Sequence, residues 1–83
     1  MFYVYILQNP KGHFYIGQTK NLTERLVRHQ NGRSPYTKHH GPWTLVYSET
    51  FSSRSEAILR EKYIKAQKNS SFILELIKSS PVG

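Results

Sequence analysis

The chain contains no cysteine and only five acidic residues. Without cysteine there is no disulfide and no thiolate metal centre, which suits a reducing compartment. Four histidines remain (His13, His29, His39 and His40), but they have no recognised ligand spacing, so a zinc site is not expected. Long hydrophobic runs are missing as well. The opening "MFYVYILQNP" is apolar, but it has no basic leader and breaks at Gln8, too early for a signal peptide or a membrane span. No linker, repeat or low-complexity run divides the 83 residues, and a single domain is expected, placed in the cytoplasm with no membrane partner. A chain of this size buries only about 60% of its unfolded surface, so its core is thin.

Positive charge is what the sequence has in excess. Twelve lysines and arginines against five acids leave a formal charge of +7, spread along the chain. In so small a domain this favours nucleic acid as a partner, because cationic side chains release condensed counterions from phosphates.

Local signals define the elements. "FYVYIL" (2–7) is aromatic and β-branched and reads as a strand. "NPKG" (9–12) is a turn, with Pro10 suited to its second position and Gly12 to its fourth. "HFYIGQT" (13–19) is the returning strand of an antiparallel hairpin. Asn21 caps a helix over 22–31, with Glu24 as its reciprocal partner and Gly32 as a left-handed stop. The stretch 32–42 is a loop, and "WTLVYSE" (43–49) is a third strand, with Trp43 expected partly buried. Ser53 and Glu56 open a helix over 54–68, and a short helix follows near 71–79. The order β-β-α-β-α-α predicts an α+β fold, a small three-stranded sheet flanked by three helices.

Two helices carry polar residues where apolar ones are expected. With Leu22 at zero on the first, Arg25 lies at about −60°, His29 at about −20° and Leu26 at about +40°. This sector must face the sheet, so it sends a guanidinium and an imidazole inward. On the second helix Glu61 falls between Ala57 and Ile64 on the buried side. Taken alone, Glu61 reads as an edge residue paired with Lys65 at i,i+4, and Arg25 and His29 as rim residues. Taken together with strand tyrosines, these residues are the groups phosphodiester hydrolysis needs: a base for water, a cation for the phosphate and a carboxylate for a divalent ion. Magnesium or manganese is expected, because one carboxylate is enough when water and substrate phosphate complete the shell.

These motifs resemble the GIY-YIG nuclease superfamily. "YVY" (3–5) stands for the first signature element and "YIG" (15–17) is the second, complete. "NLTERLVRH" (21–29) is similar to the family's arginine helix and "SEAILREKYIK" (55–65) to its glutamate helix. The resemblance covers about residues 2–65 and points to the small stand-alone bacterial branch, with similarity to the N-terminal nuclease domain of the excision-repair C subunit. It implies that Tyr5 and Tyr15 are the signature tyrosines, one of them the general base. It implies that Arg25 binds the scissile phosphate, that His29 sits near the base, that Glu61 holds the metal and that Gly17 leaves room at the site. Tyr3 stands where the signature has glycine, and Gln18 where several nucleases have lysine. The family's later asparagine has no counterpart, Asn69 coming too early.

Lys20, Arg33, Tyr36, Lys38, His39 and His40 are expected to form a phosphate-contacting or stacking surface. The expected function is a metal-dependent DNA endonuclease, in repair or recombination, acting as a monomer and drawing its specificity from DNA structure or a protein partner. The alternative is a nucleic-acid-binding module of the same fold with little or no cleavage.

Overall fold

The computed structural model describes residues 1–31, 40–67 and 69–79. Its elements run β1 (Phe2–Gln8), β2 (Phe14–Thr19), α1 (Leu22–Gln30), β3 (Thr44–Phe51), α2 (Arg54–Ala66) and α3 (Ser70–Ser79). The class and order are those the sequence predicts. The strands form one antiparallel sheet in the order β2-β1-β3, so the first strand is central.

The hairpin closes through its turn residues. Gly12 donates its N–H to the Asn9 carbonyl at 3.0 Å and takes φ +85°, a value costly for any residue with a Cβ. The Asn9 side-chain oxygen accepts from the Lys11 and His13 N–H groups at 3.1 and 2.8 Å. Pairing across the hairpin sets Tyr5 opposite Gly17 and Leu7 opposite Tyr15. On the other side, Ile6 faces Tyr47 and Leu7 faces Leu45, which leaves Val46 as a bulge in β3.

β1 is buried on both faces. Val4 and Ile6 pack with Tyr47, Ala57, Ile64 and Ile73 under α2 and α3. Tyr5 and Leu7 pack with Trp43, Leu22, Leu26 and Leu45 under α1. Each fully buried aliphatic side chain contributes about 1.5–3 kcal/mol, so this seven-residue strand anchors two thin cores at once. Trp43 is 2% exposed rather than partly buried, because α1 roofs it and it fills the space beside Leu7.

The helix caps differ in detail from the sequence expectation. Asn21 Oδ1 accepts the Glu24 N–H at 3.0 Å, as an N-cap should. The Asn21 N–H, however, goes to Thr19 Oγ1 at 3.1 Å, and the Glu24 carboxylate turns to Arg28 at 3.8 Å. The strand is so close to the helix that the threonine hydroxyl reaches the cap first. At α2, Ser53 Oγ accepts the Glu56 N–H at 3.3 Å and donates to the Glu56 carboxylate at 2.9 Å. Asn69 caps α3, its side chain accepting from the Ser71 N–H at 2.9 Å. β3 starts one residue later and runs two residues further than 43–49, and α2 ends at Ala66. The Gly32 stop lies outside the described residues. No helix among the described residues is long and apolar enough to cross a membrane.

Candidate active site

The site begins at a missing side chain. Gly17 lies across the strand pair from Tyr5, so the two share a sheet face. A Cβ on Gly17 would come within 2.6 Å of the Tyr5 hydroxyl oxygen and 2.7 Å of Cζ. The Tyr5 ring therefore leans over Gly17, toward the outer edge of β2. The space that glycine leaves open is taken by the protein's own phenol.

α1 supplies the next two groups. Its inward sector carries Leu22 and Leu26 onto the sheet, which draws Arg25 and His29 with them. His29 is 2% exposed, and its Nε2 lies 3.0 Å from the Tyr5 hydroxyl. Its ring also meets Tyr15 edge-on, with centroids 4.8 Å apart, and Tyr15 stands 6.3 Å from Tyr5 and 6.4 Å from Trp43. Arg25 is half-buried, and its guanidinium favours the ionised form of the Tyr5 phenol.

α2 supplies Glu61 from the other side of the sheet. Its charge adds, as the smallest of several influences, to what disfavours a phenolate at Tyr5. It also pairs with Lys65 one turn later, Nζ to Oε2, at 2.8 Å. Lys65 lines a cavity of about 260 Å³ with Phe14, Tyr15 and Ile16 of the edge strand.

Electrostatics give these groups different protonation. Burial, then the Tyr15 and Glu61 charges, push the Tyr5 phenol up to about 12, and Arg25 offsets this only in part. Burial, then the Arg25 and Arg28 guanidiniums, hold His29 below its ordinary 6.5, so it is neutral at pH 7. A neutral imidazole can accept the Tyr5 proton at Nε2, which puts its own proton on Nδ1. Tyr5 is fully buried, whereas Tyr15 is half-buried, so Tyr15 is the signature tyrosine a substrate can reach.

Of the remaining sequence-predicted residues, the structure describes Lys20 and His40. Lys20 is exposed where β2 passes into α1. His40 is exposed and lines a second cavity, of about 150 Å³, with Asn9, Pro10, Lys11 and Gly41. Arg33, Tyr36, Lys38 and His39 lie outside the described residues. Gln18 pairs with Val4, so it faces the α2 side of the sheet, and its Oε1 is buried with no hydrogen-bond partner among the described residues.

Two supporting contacts had no sequence signal. Gln30 donates its side-chain N–H to the Trp43 carbonyl and accepts the Trp43 N–H at 3.2 Å, tying the end of α1 to the start of β3. Arg60 grips Glu49 of β3 in two bonds, at 2.9 and 3.0 Å, and Tyr47 also donates to that carboxylate. This clamp holds α2 one residue before Glu61. Neither pair has a spacing that marks it, since its members lie on separate elements.

Among the described residues no group of three or more histidine, aspartate and glutamate side chains is placed to hold a metal ion. A single carboxylate is on offer, and Glu61, with its side chain 18% exposed, already holds one cation in the Lys65 ammonium. That chemistry fits a hard divalent ion completed by water and phosphate.

A family model described as the GIY-YIG catalytic domain matches residues 1–73. A UPF0213 protein of Staphylococcus saprophyticus is 42% identical over 64 residues, covering 76% of this chain and 78% of its own. A UPF0213 protein of Clostridium perfringens is 47% identical over 66 residues, covering 78% of this chain and 71% of its own. The solution NMR structure of a UPF0213 protein from Bacillus halodurans aligns with a TM-score of 0.54 at 33% identity, covering 88% of this chain and 83% of that one. The chain belongs to the GIY-YIG family, whose fold is of nuclease type, and within it is similar to the UPF0213 proteins.

Proposed function

We propose that this protein is a metal-dependent endonuclease that hydrolyses DNA phosphodiester bonds. The observation that carries the reading is a buried set of contacts beneath the accessible tyrosine: the Tyr5 hydroxyl lies 3.0 Å from His29 Nε2, the His29 ring meets Tyr15 edge-on at 4.8 Å, and the half-buried Arg25 stands one turn before His29 on α1. Core packing alone gives no reason to seal an imidazole against a buried phenol with a guanidinium one turn away.

In this reading Arg25 binds the scissile phosphate and stabilises the charge that grows on its oxygens. Glu61 holds the divalent ion, magnesium or manganese. When bound, that ion supplies charge to the phosphate and the leaving oxygen and lowers the cost of ionising a nearby phenol. Tyr15, the accessible tyrosine, takes the proton of the attacking water as a phenolate. Tyr5 and His29 act beneath it. Their buried bond keeps the His29 ring against the edge of Tyr15, and a neutral His29 adds no cation to compete with Arg25 for the phosphate. Gly17 is the room that lets Tyr5 lie there. Lys20 and His40, with Arg33, Tyr36, Lys38 and His39, extend the contact to flanking phosphates. Specificity comes from DNA structure or from a protein partner, the chain acting as a monomer in the cytoplasm, in repair or recombination.

One observation favours a second reading, a binding module without efficient cleavage. Tyr5 is pushed up to about 12 and Glu61 is engaged by Lys65, so neither is poised for chemistry before substrate and metal arrive.

The deciding experiment is nicking of supercoiled plasmid with magnesium or manganese, by the wild type, Glu61→Gln and Arg25→Ala. Glu61→Gln should cut nicking by orders of magnitude, because metal charge stabilisation is worth several kcal/mol and each 1.36 kcal/mol is about tenfold in rate. Its metal-free DNA affinity should hold or rise slightly. Arg25→Ala should lower nicking and affinity together. A wild type that binds DNA and never nicks it, whichever ion is supplied, establishes the binding-module reading instead.

A further inference from the structure

Lys65 belongs to none of the roles assigned so far, yet it touches two parts of the site. Its ammonium lies 2.8 Å from Glu61 Oε2. Its side chain also lines the cavity formed with Phe14, Tyr15 and Ile16, so the residue that pairs with Glu61 shares that cavity with the accessible tyrosine. The two partners differ in depth. The Glu61 side chain is 18% exposed and that of Lys65 is 54% exposed, so the carboxylate is held in place while its cation approaches from solvent.

We propose that Lys65 is an exchangeable internal cation, which occupies the Glu61 carboxylate in the free protein and gives it up to a divalent ion when a substrate phosphate draws the ammonium away. The proposal rests on the metal role of Glu61. Its physical basis is that an ammonium and a hydrated divalent ion cannot share one carboxylate without repelling each other at about 4 Å. The ion pair is weak enough to exchange, because a half-exposed pair carries little net stability. The lysine stem is long and flexible and its charge is compact, so it can move to a phosphate in the adjoining cavity without any backbone change. Metal and phosphate then bind cooperatively, since each relieves the other of competition from the same protein groups. In a chain of charge +7, the device also keeps a lone carboxylate from being left as a bare metal trap between substrates.

The test is Mn²⁺ binding to the full chain without nucleic acid, read from the electron paramagnetic resonance signal of free Mn²⁺. Lys65→Gln should bind Mn²⁺ about two- to fivefold more tightly than the wild type, the range a surface ion pair's strength corresponds to. Glu61→Gln should bind it much more weakly than either. Adding thymidine 3′,5′-bisphosphate should tighten Mn²⁺ binding more in the wild type than in Lys65→Gln, because the variant has no internal cation left to release. Equal or weaker Mn²⁺ binding by Lys65→Gln, with binding still dependent on Glu61, overturns the exchange and leaves the metal role of Glu61 standing. Equal tightening by the bisphosphate in both proteins also overturns it. Mn²⁺ binding that ignores Glu61→Gln overturns the exchange and the metal role together.

Discussion

The Tyr5 hydroxyl and His29 Nε2 lie 3.0 Å apart, both buried, and this bond joins the central strand to the first helix. A neutral imidazole can accept the phenol proton there at Nε2. Protonating His29 makes Nε2 a donor, so the hydroxyl must accept, and it buries a further positive charge beside Arg25 and Arg28.

The pH dependence of stability follows from that. Because the folded value of His29 is lowered, the unfolded chain binds the proton more readily. Stability is therefore complete above the unfolded value near 6.5 and is lost as pH falls from there through the lower folded value. Urea unfolding at pH 7.5 and pH 5 should show a larger loss for the wild type than for His29→Gln, which keeps an acceptor but does not titrate. Equal losses in the two proteins would remove His29 from this account.

Gly17→Ala should destabilise the protein by about 1–3 kcal/mol, the usual cost of forcing a group into a filled space. The added methyl would meet both the oxygen and the ring of Tyr5, at 2.6 and 2.7 Å. Removing only the hydroxyl leaves the ring contact, so the double variant Gly17→Ala, Tyr5→Phe should recover little. Thermal melts of the three variants measure this, and full recovery by Tyr5→Phe would place the clash at the oxygen alone.

The Arg60–Glu49 clamp should matter most near neutral pH. Burial pushes the Glu49 carboxyl up, but hydrogen bonds from Arg60 and Tyr47 outweigh it and hold it below its ordinary value. Such a carboxylate stabilises the fold above the unfolded value near 4.5 and loses that contribution as pH falls through the folded one. Arg60→Gln should cost about 1.5–3 kcal/mol at pH 7, in the range of charge-assisted hydrogen bonds, and distinctly less at pH 3. A cost independent of pH would mean that Arg60 contributes by packing, with its guanidinium 5.5 Å from the Tyr63 ring centre.

DNA affinity should fall steeply with salt, because the contacts assigned to this site are mostly to phosphate. Lys20→Ala and Arg25→Ala should each lower the slope of log affinity against log salt by about one. Fluorescence anisotropy across a salt series gives the slope. A slope near zero for the wild type would argue for a protein partner rather than nucleic acid.

Much of the fold is local chemistry, and local chemistry is legible in one chain. Asn9, Gly12, Asn21 and Ser53 each make a turn or a cap that their own neighbours complete. The helical period placed Arg25 and His29 beside Leu22 and Leu26, and all four do turn toward the sheet. The family pattern is likewise written in consecutive residues, "YIG" above all. What the sequence left open depends on depth. Strand alternation says that Tyr3 and Tyr5 share a face, but β1 is covered on both faces, so parity cannot separate core from surface. Only the assembled structure decides that Tyr5 is sealed against His29 while Tyr15 stays half-buried, and that Trp43 is roofed by α1. Asn69 was too early for the family's asparagine, and the tertiary structure gives it a different task as the cap of α3. The same holds for Glu61. Its i,i+4 bond to Lys65 could be read from spacing, since both ends lie on one helix. Its place relative to Tyr5 could not, because that is set by how α2 packs across β1 and β2, through contacts between residues far apart in the chain.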